Sequence, residues 1–269
     1  MSAQRAGARR PGAQTVAGTP APPFDPAVGW HDVECGGYAA DLPLWRELAA
    51  AWGGPVLELG AGTGRVALEL AAAGHEVTAL DCDPALVAEC AARARERGLR
   101  VDAVCADACS FAIGRRFPLV VAPMQVVQLL EGTAARATML ARVRDHLEHG
   151  GLFAPALADP FAGLAAADSL PPLPDTGERQ GWALASTPVV VREEASREGD
   201  RIVAIDRLRR ADAPHGASVE SAATIRLSVF PSDKLADSAT AHGFRRLPDR
   251  TVPETHAYVG STVLVLEAV

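Results

Sequence analysis

Val56-Leu57-Glu58-Leu59-Gly60-Ala61-Gly62-Thr63-Gly64-Arg65 is a short apolar run that enters a glycine-rich turn, and an amphipathic helical pattern follows at once. Glycine is needed where backbone turns tightly and lies against a ligand, because a Cβ there would clash. The acid is as informative as the glycines. Glu58 falls at the end of the apolar run, beside whatever the turn binds. It would repel a pyrophosphate and attract a ligand carrying an ammonium or sulfonium group. The dinucleotide fingerprint requires G-x-G-x-x-G. Here the spacing is G-x-G-x-G, and Arg65 stands where the third dinucleotide glycine belongs. A phosphate loop ending in Gly-Lys-Ser/Thr is also absent.

Working outward, the spacing predicts a helix from Arg65 to Ala73, with Val66 and Leu70 on one face and Gly74 as its stop. Val77 to Leu80 reads as a strand that ends in Asp81. An acid about twenty residues past the glycine loop is placed to bind two ribose hydroxyls. A carboxylate suits that task because it accepts hydrogen bonds and donates none. Asp83, ahead of Pro84 and an apolar helical pattern, reads as a helix N-cap instead. A third strand, Val101 to Cys105, leads into Asp107. A fourth, Leu119 to Ala122, leads into Pro123-Met124-Gln125. A helix from Thr133 to His149 and a fifth strand from Leu152 to Leu157 continue the alternation. Strands alternating with helices imply a parallel sheet covered on both faces, with ligands at the carboxyl ends of its strands. Glu58, Asp81, Asp107 and Gln125 all fall at such ends.

Past the fifth strand the alternation stops. Residues Pro160 to Gly181 are rich in Pro, Ala and Gly and read as a loop or linker. Three strands without an intervening helix follow: Trp182 to Val191, Arg201 to Leu208, and Ser221 to Phe230. The last alternates apolar and polar residues, a half-buried antiparallel pattern. Ser232 to His242 reads as a helix, and Phe244 to Arg250 with Thr262 to Leu266 as a closing hairpin. At the other end, a disordered tail gives way to a helix from Tyr38 to Ala51.

Composition limits the function. The 269 residues are 48% hydrophobic, enough for a sizeable core. A formal net charge of −7 argues against a nucleic acid partner, which calls for a basic face. No apolar run is long enough to span a bilayer, so no membrane partner is expected. The five cysteines, Cys35, Cys82, Cys90, Cys105 and Cys109, include no C-x-x-C pair. They read as reduced thiols of a cytoplasmic protein, with Cys105 and Cys109 as packing residues, not as a disulfide framework or a metal site.

The run Glu58 to Gly64, followed by Asp81, resembles the first motifs of the class I S-adenosylmethionine (SAM) dependent methyltransferases. The resemblance implies an α/β fold: a Rossmann-like, mostly parallel seven-stranded sheet with helices on both faces. The late strands resemble the antiparallel β insertion after the fifth strand in the branch akin to glycine N-methyltransferase and the antibiotic-sugar N-methyltransferases. The expected organisation is a tail over residues 1–27 and an N-terminal helical cap over 28–53. A SAM-binding core follows over 54–158, then a substrate-covering insertion over 159–230 and a closing helix and hairpin over 231–269.

The resemblance implies SAM as cofactor and a small-molecule methyl acceptor of secondary metabolism. It assigns cofactor contacts to Glu58, Gly60, Ala61, Gly62 and Gly64, to Asp81 and Cys82, and to Asp107 and Ala108 at the adenine. Gly36-Gly37-Tyr38 loosely matches a segment whose tyrosine contacts the methionine end of SAM. Pro123 is assigned to the cofactor as well, at the start of the segment where the acceptor usually lies in that family; the acid or asparagine followed by two prolines, found in members that methylate nucleic acids or protein glutamine, is absent here. Candidate catalytic residues are His31, Gln125 and Gln128, with Trp30 and Tyr38 as further acceptor contacts; as lone histidines, His31 and His256 read more readily as surface or hydrogen-bonded residues than as the base. Arg65 reads either as a neighbour of the cofactor carboxylate or as a solvated residue. Three functions stay open: methyl transfer to nitrogen, with oxygen or carbon as alternatives; SAM binding without transfer; and a nucleotide-linked oxidoreductase. A homodimer is compatible with all three.

Overall fold

The computed structural model describes residues 21–158, 174–195, 200–255 and 258–269. Most of the expected tail, His256 and most of the Pro-rich linker lie outside the described residues. Seven strands form one sheet in the order β10-β11-β5-β4-β1-β2-β3. β1 (Val56–Leu59), β2 (Val77–Asp81), β3 (Val101–Cys105), β4 (Phe117–Ala122) and β5 (Leu147–Leu157) run parallel to one another. β11 (Ser261–Ala268) is antiparallel to both β5 and β10 (Phe244–Val252). Strand order reverses between β1 and β4, so the crevice at their carboxyl ends is the switch point where such sheets bind ligands.

The central strands are mostly apolar because both faces are covered. Every residue of β1 is buried, and β4 is buried except at Pro118. One face packs against α2 (Leu42–Trp52), α3 (Ala67–Ala72) and α4 (Pro84–Glu96), through Trp45, Leu48, Leu70 and Cys90. The other packs against α5 (Gly132–His146) and α6 (Ser232–Ala241), through Met139, Leu140, Val143, Leu235 and Ala239. Asp83 caps α4 by accepting from Ala85 N at 2.9 Å, with Pro84 at the first helical position.

Several boundaries differ from the sequence reading for local reasons. α1 (Pro26–Cys35) begins inside the segment read as tail, because Asp25 accepts from Ala27 N and Pro26 presets the first turn. Tyr38 lies in the turn before α2, whose first residues are Leu42 and Pro43. β5 begins at Leu147, so the residues Leu147 to His149, read as the end of a helix, are strand. Of the two cysteines read as packing residues, Cys109 is half-buried but Cys105 is exposed.

The insertion is a second sheet, antiparallel throughout, in the order β6-β7-β8-β9. Its long strands are β7 (Trp182–Ala195), β8 (Arg201–Asp212) and β9 (Ser218–Val229). β6 (Asp175–Arg179) falls in the stretch read as linker; its Asp-Thr-Gly-Glu-Arg sequence carries no apolar alternation, so it is legible only through its pairing with β7. A small core of Phe24, Trp30, Val33, Trp182, Leu184 and Ala211 fastens α1 to this sheet. α1 is thereby clamped between the insertion and the glycine loop.

Candidate active site

The glycine loop adopts the backbone its sequence demands. Gly60, Gly62 and Gly64 have φ of 66°, 57° and 94°, the left-handed region open to glycine. Ala61 N donates to Leu80 O at 3.0 Å, which fixes the loop on β2. A Cβ at Gly60 would lie 2.5 Å from Val126 Cγ2, and one at Gly62 would lie 2.0 Å from His31 Nε2. The loop is thus closely covered by η1 (Val126–Leu129), a 3-10 turn after β4, and by α1. Gly62→Ala should therefore cost about 1–3 kcal/mol of stability through strain and displaced imidazole, and affinity for S-adenosyl-L-homocysteine, the demethylated form of the cofactor that the sequence resemblance implies, should fall about tenfold. Adding His31→Ala should return part of both losses, read by thermal melts and calorimetry. No recovery would show that the imidazole does not set the spacing.

Asp81 reaches back to this loop. Its Oδ2 accepts from Gly62 N at 2.8 Å, and its Oδ1 accepts from Asp83 N at 2.9 Å. Each oxygen keeps a lone pair for a further donor. Asp107 accepts from Cys109 N at 2.7 Å in a local turn and is exposed at the exit of β3. Ala108 is half-buried in that turn, and Cys82 is exposed beside Asp81.

Glu58 is only 2% exposed, on the face shared with Arg65 and Asp41. The backbone N–H of Ala67 bonds its carboxyl, but Oε2 has no partner among the described residues. Burial pushes its pKa up to about 8, against the pull of Arg65. A buried acid with an orphaned oxygen beside a loop of glycines that would not admit a Cβ fits a cofactor with a positive end. It does not fit a diphosphate.

Arg65 is not the solvated residue that was one of its two expected roles; its side chain is 10% exposed. Its two terminal nitrogens bond the Asp41 carboxylate at 2.6 and 2.8 Å, and Nη1 also donates to Tyr38 O at 2.8 Å. Trp45 Nε1 donates to Asp41 Oδ2 at 2.8 Å, so both ionic partners are buried and satisfied. The guanidinium stands 5.1 Å from the centroid of the Tyr38 ring. Asp41 neutralises Arg65 and thereby leaves Glu58 without an ion-pair partner. The Tyr38 ring also packs on Tyr258, with centroids 4.8 Å apart.

His31 lies on the loop. Its Nδ1 is 3.2 Å from Thr63 Oγ1, and burial lowers its pKa below the ordinary value, favouring neutral imidazole. Thr63 Oγ1 donates to Asp32 at 2.8 Å. Asp32 also pairs with Arg93 on α4 and Arg179 on β6, tying cap, core and insertion together around the loop. Nothing in the sequence next to His31 announced that junction. At the exit of β4, Pro123 is buried and Met124 has φ 56°, a strained conformation for a side chain other than glycine. Gln125 follows, half-buried, with no side-chain bond among the described residues.

Two candidates are corrected. The Gln128 amide is fully engaged: Nε2 donates to Ala158 O at 2.7 Å and Ser228 O at 3.2 Å, and Oε1 accepts from Ala158 N at 2.8 Å. It is a buried clip between η1, β5 and β9, with no capacity to orient an acceptor. Trp30 is likewise buried in the core that fastens the insertion, under the Arg209 guanidinium.

Residues 56–151 match a family model described as a methyltransferase domain. No curated protein sequence matches the chain. Among solved structures, the glycopeptide N-methyltransferase MtfA complexed with S-adenosyl-L-homocysteine (SAH) is 29% identical, with 84% of this chain and 86% of that one covered and a TM-score of 0.56. The sugar N-methyltransferase KedS8 from a Streptoalloteichus species is 19% identical, covering 97% and 99%, with a TM-score of 0.66. The methyltransferase CcbJ from Streptomyces caelestis is 21% identical, covering 87% and 98%, with a TM-score of 0.62. The acid-flanked glycine cradle and the domain match agree: the chain carries a methyltransferase domain over residues 56–151, set in a class I methyltransferase fold.

Proposed function

We propose that the enzyme methylates a nitrogen of a small secondary metabolite by in-line displacement. The observation that carries this reading is the 29% identity to a glycopeptide N-methyltransferase over 84% of the chain. SAM supplies a methyl group already activated on a sulfonium. The protein's task is therefore alignment and exclusion of water, effects worth roughly 7–11 kcal/mol in favourable cases.

In this reading Asp81 holds the ribose hydroxyls, and Glu58 faces the α-ammonium. The backbone of Gly60, Ala61, Gly62 and Gly64 lies along the cofactor. Tyr38, fixed by Arg65 and Asp41, closes over the methionine end. Cys82, Asp107 and Ala108 border the adenine, and His31 closes the loop from α1. Pro123 and Gln125 lie at the acceptor, with the strained Met124 between them. The nitrogen must be unprotonated when it attacks. We take the protein to be cytoplasmic; among the described residues no helix is long and apolar enough to cross a membrane. Whether it pairs as a homodimer is read by sedimentation.

Methyl-labelled SAM, offered with panels of amines, phenols and activated carbon acids, tests the reaction. The expected product carries the label on nitrogen. Label on oxygen or carbon would move the reading to those acceptors, and binding without product would favour a SAM-binding protein that transfers nothing.

A further inference from the structure

Four charged side chains from three elements meet at the Thr63 hydroxyl. Asp32 of α1 accepts on Oδ1 from Thr63 Oγ1 at 2.8 Å and Arg93 Nη1 at 3.0 Å. On Oδ2 it accepts from Arg93 Nη2 at 2.5 Å and Arg179 Nη1 at 2.9 Å. Glu89, one turn before Arg93 on α4, accepts on Oε1 from Arg93 Nε and Arg179 Nη2, both at 2.9 Å. Two acids and two arginines thus alternate, and each acid meets both cations. All four side chains are only 21–29% exposed, so they are screened less than a surface pair. Against burial, which raises it, the bonds from Arg93 and Thr63 hold the Asp32 carboxyl below its ordinary value.

Thr63 is where this junction enters the glycine loop. It stands between Gly62 and Gly64, which bring no side chain to hold the turn. Its hydroxyl has one proton, and the Asp32 carboxylate takes it. His31 Nδ1, 3.2 Å from the same oxygen, is therefore the donor to it, and the Nε2 that faces Gly62 is the bare nitrogen. Asp32 thus sets both Thr63 and His31, two side chains that hold this turn. Arg179 bonds Asp32 and Glu89, not the loop. It is the last residue of β6 and pairs with Trp182, which belongs to the core that fastens α1 to the insertion.

We propose that Arg179 is a positioning residue of the cofactor site: from the insertion it fixes Asp32, and through Asp32 the Thr63 hydroxyl and the glycine loop. This rests on the reading of that loop as the SAM site. It makes the insertion part of what holds the cofactor as well as a cover for the acceptor. By linkage, a cofactor that settles the loop also tightens β6 against α1.

The test uses the full chain and two readouts. Arg179→Gln leaves Asp32 and Glu89 each paired with Arg93, so no acid is stranded and the variant should fold. In calorimetry, SAH affinity should fall about fivefold in Arg179→Gln and in Thr63→Val, and about fivefold, not about 25-fold, in the double variant, because both act along one path. Thr63→Ser keeps the hydroxyl and should bind SAH within twofold of wild type. In the protein without ligand, amide hydrogen exchange over residues 60–64 should quicken severalfold in Arg179→Gln. Arg245→Gln, which breaks an ion pair with Glu267 in the closing hairpin, is the control and should leave that exchange unchanged. SAH affinity of Arg179→Gln within twofold of wild type, losses that multiply in the double variant, or unchanged loop exchange would overturn the proposal. A wild type that ignores SAH, with loop exchange that still answers to Arg179→Gln, would instead overturn the reading of the loop as the SAM site and leave the hold of Arg179 on the loop standing.

Discussion

Asp81→Ala is expected to raise the SAH dissociation constant about 100-fold while costing only about 1–2 kcal/mol of folding stability. Both numbers follow from where the carboxylate sits. In the structure its oxygens accept from Gly62 N and Asp83 N, so removal loosens the loop and the turn into α4. Those two amides are part-buried and can recover some hydration, which keeps the folding cost small. In the proposed complex with SAH the same oxygens would also accept from two ribose hydroxyls. Hydrogen bonds to a charged group contribute about 1.5–3 kcal/mol each, and about 3 kcal/mol in total corresponds to roughly 100-fold. Calorimetry with SAH beside a denaturant melt separates the two effects. SAH affinity within twofold of wild type would remove Asp81 from the ribose.

Glu58→Gln should stabilise the fold above neutral pH and weaken cofactor binding, opposite effects from one atom. The native carboxyl keeps its proton up to about 8, whereas its ordinary value is 4.5. Between those values the unfolded chain binds fewer protons than the native one, so stability falls as pH rises through the window and is flat above it. The amide has no charge to desolvate and removes this slope. Each pKa unit is worth about 1.4 kcal/mol, so a gain of about 2 kcal/mol or more is expected at pH 8.5 and little at pH 5. The cofactor, by contrast, should draw the ionised form. Wild-type SAH affinity should rise from pH 6 to 8 with proton release. The variant should bind about tenfold more weakly at pH 8 and show no such rise. Identical pH dependence in the two proteins would mean that the orphaned oxygen does not meet the ammonium.

The parallel core was legible because each of its elements is marked twice, by periodicity and by a boundary residue. Gly60 to Gly64 fixed the first turn, Asp83-Pro84 fixed the start of α4, and the apolar runs of β1 and β4 marked strands covered on both faces. The insertion was legible as an antiparallel sheet of three strands, but its fourth, β6, was not, because it has no apolar residue and its pairing depends on β7. Acids at the strand ends were legible because their spacing follows the βα unit. What escaped was every partnership across long sequence separation. Arg65 was visible as a departure from the dinucleotide pattern, but its partner Asp41 lies in another element. Gln128 looked like a free amide at a strand exit until Ala158 and Ser228 closed around it.

Calorimetry of the purified protein with SAH and with NAD tests the central claim most directly. Acids at the ends of β1 and β2 surrounding a nucleoside thioether predict micromolar binding of SAH and no detectable heat with NAD. Binding of NAD with indifference to SAH would contradict it.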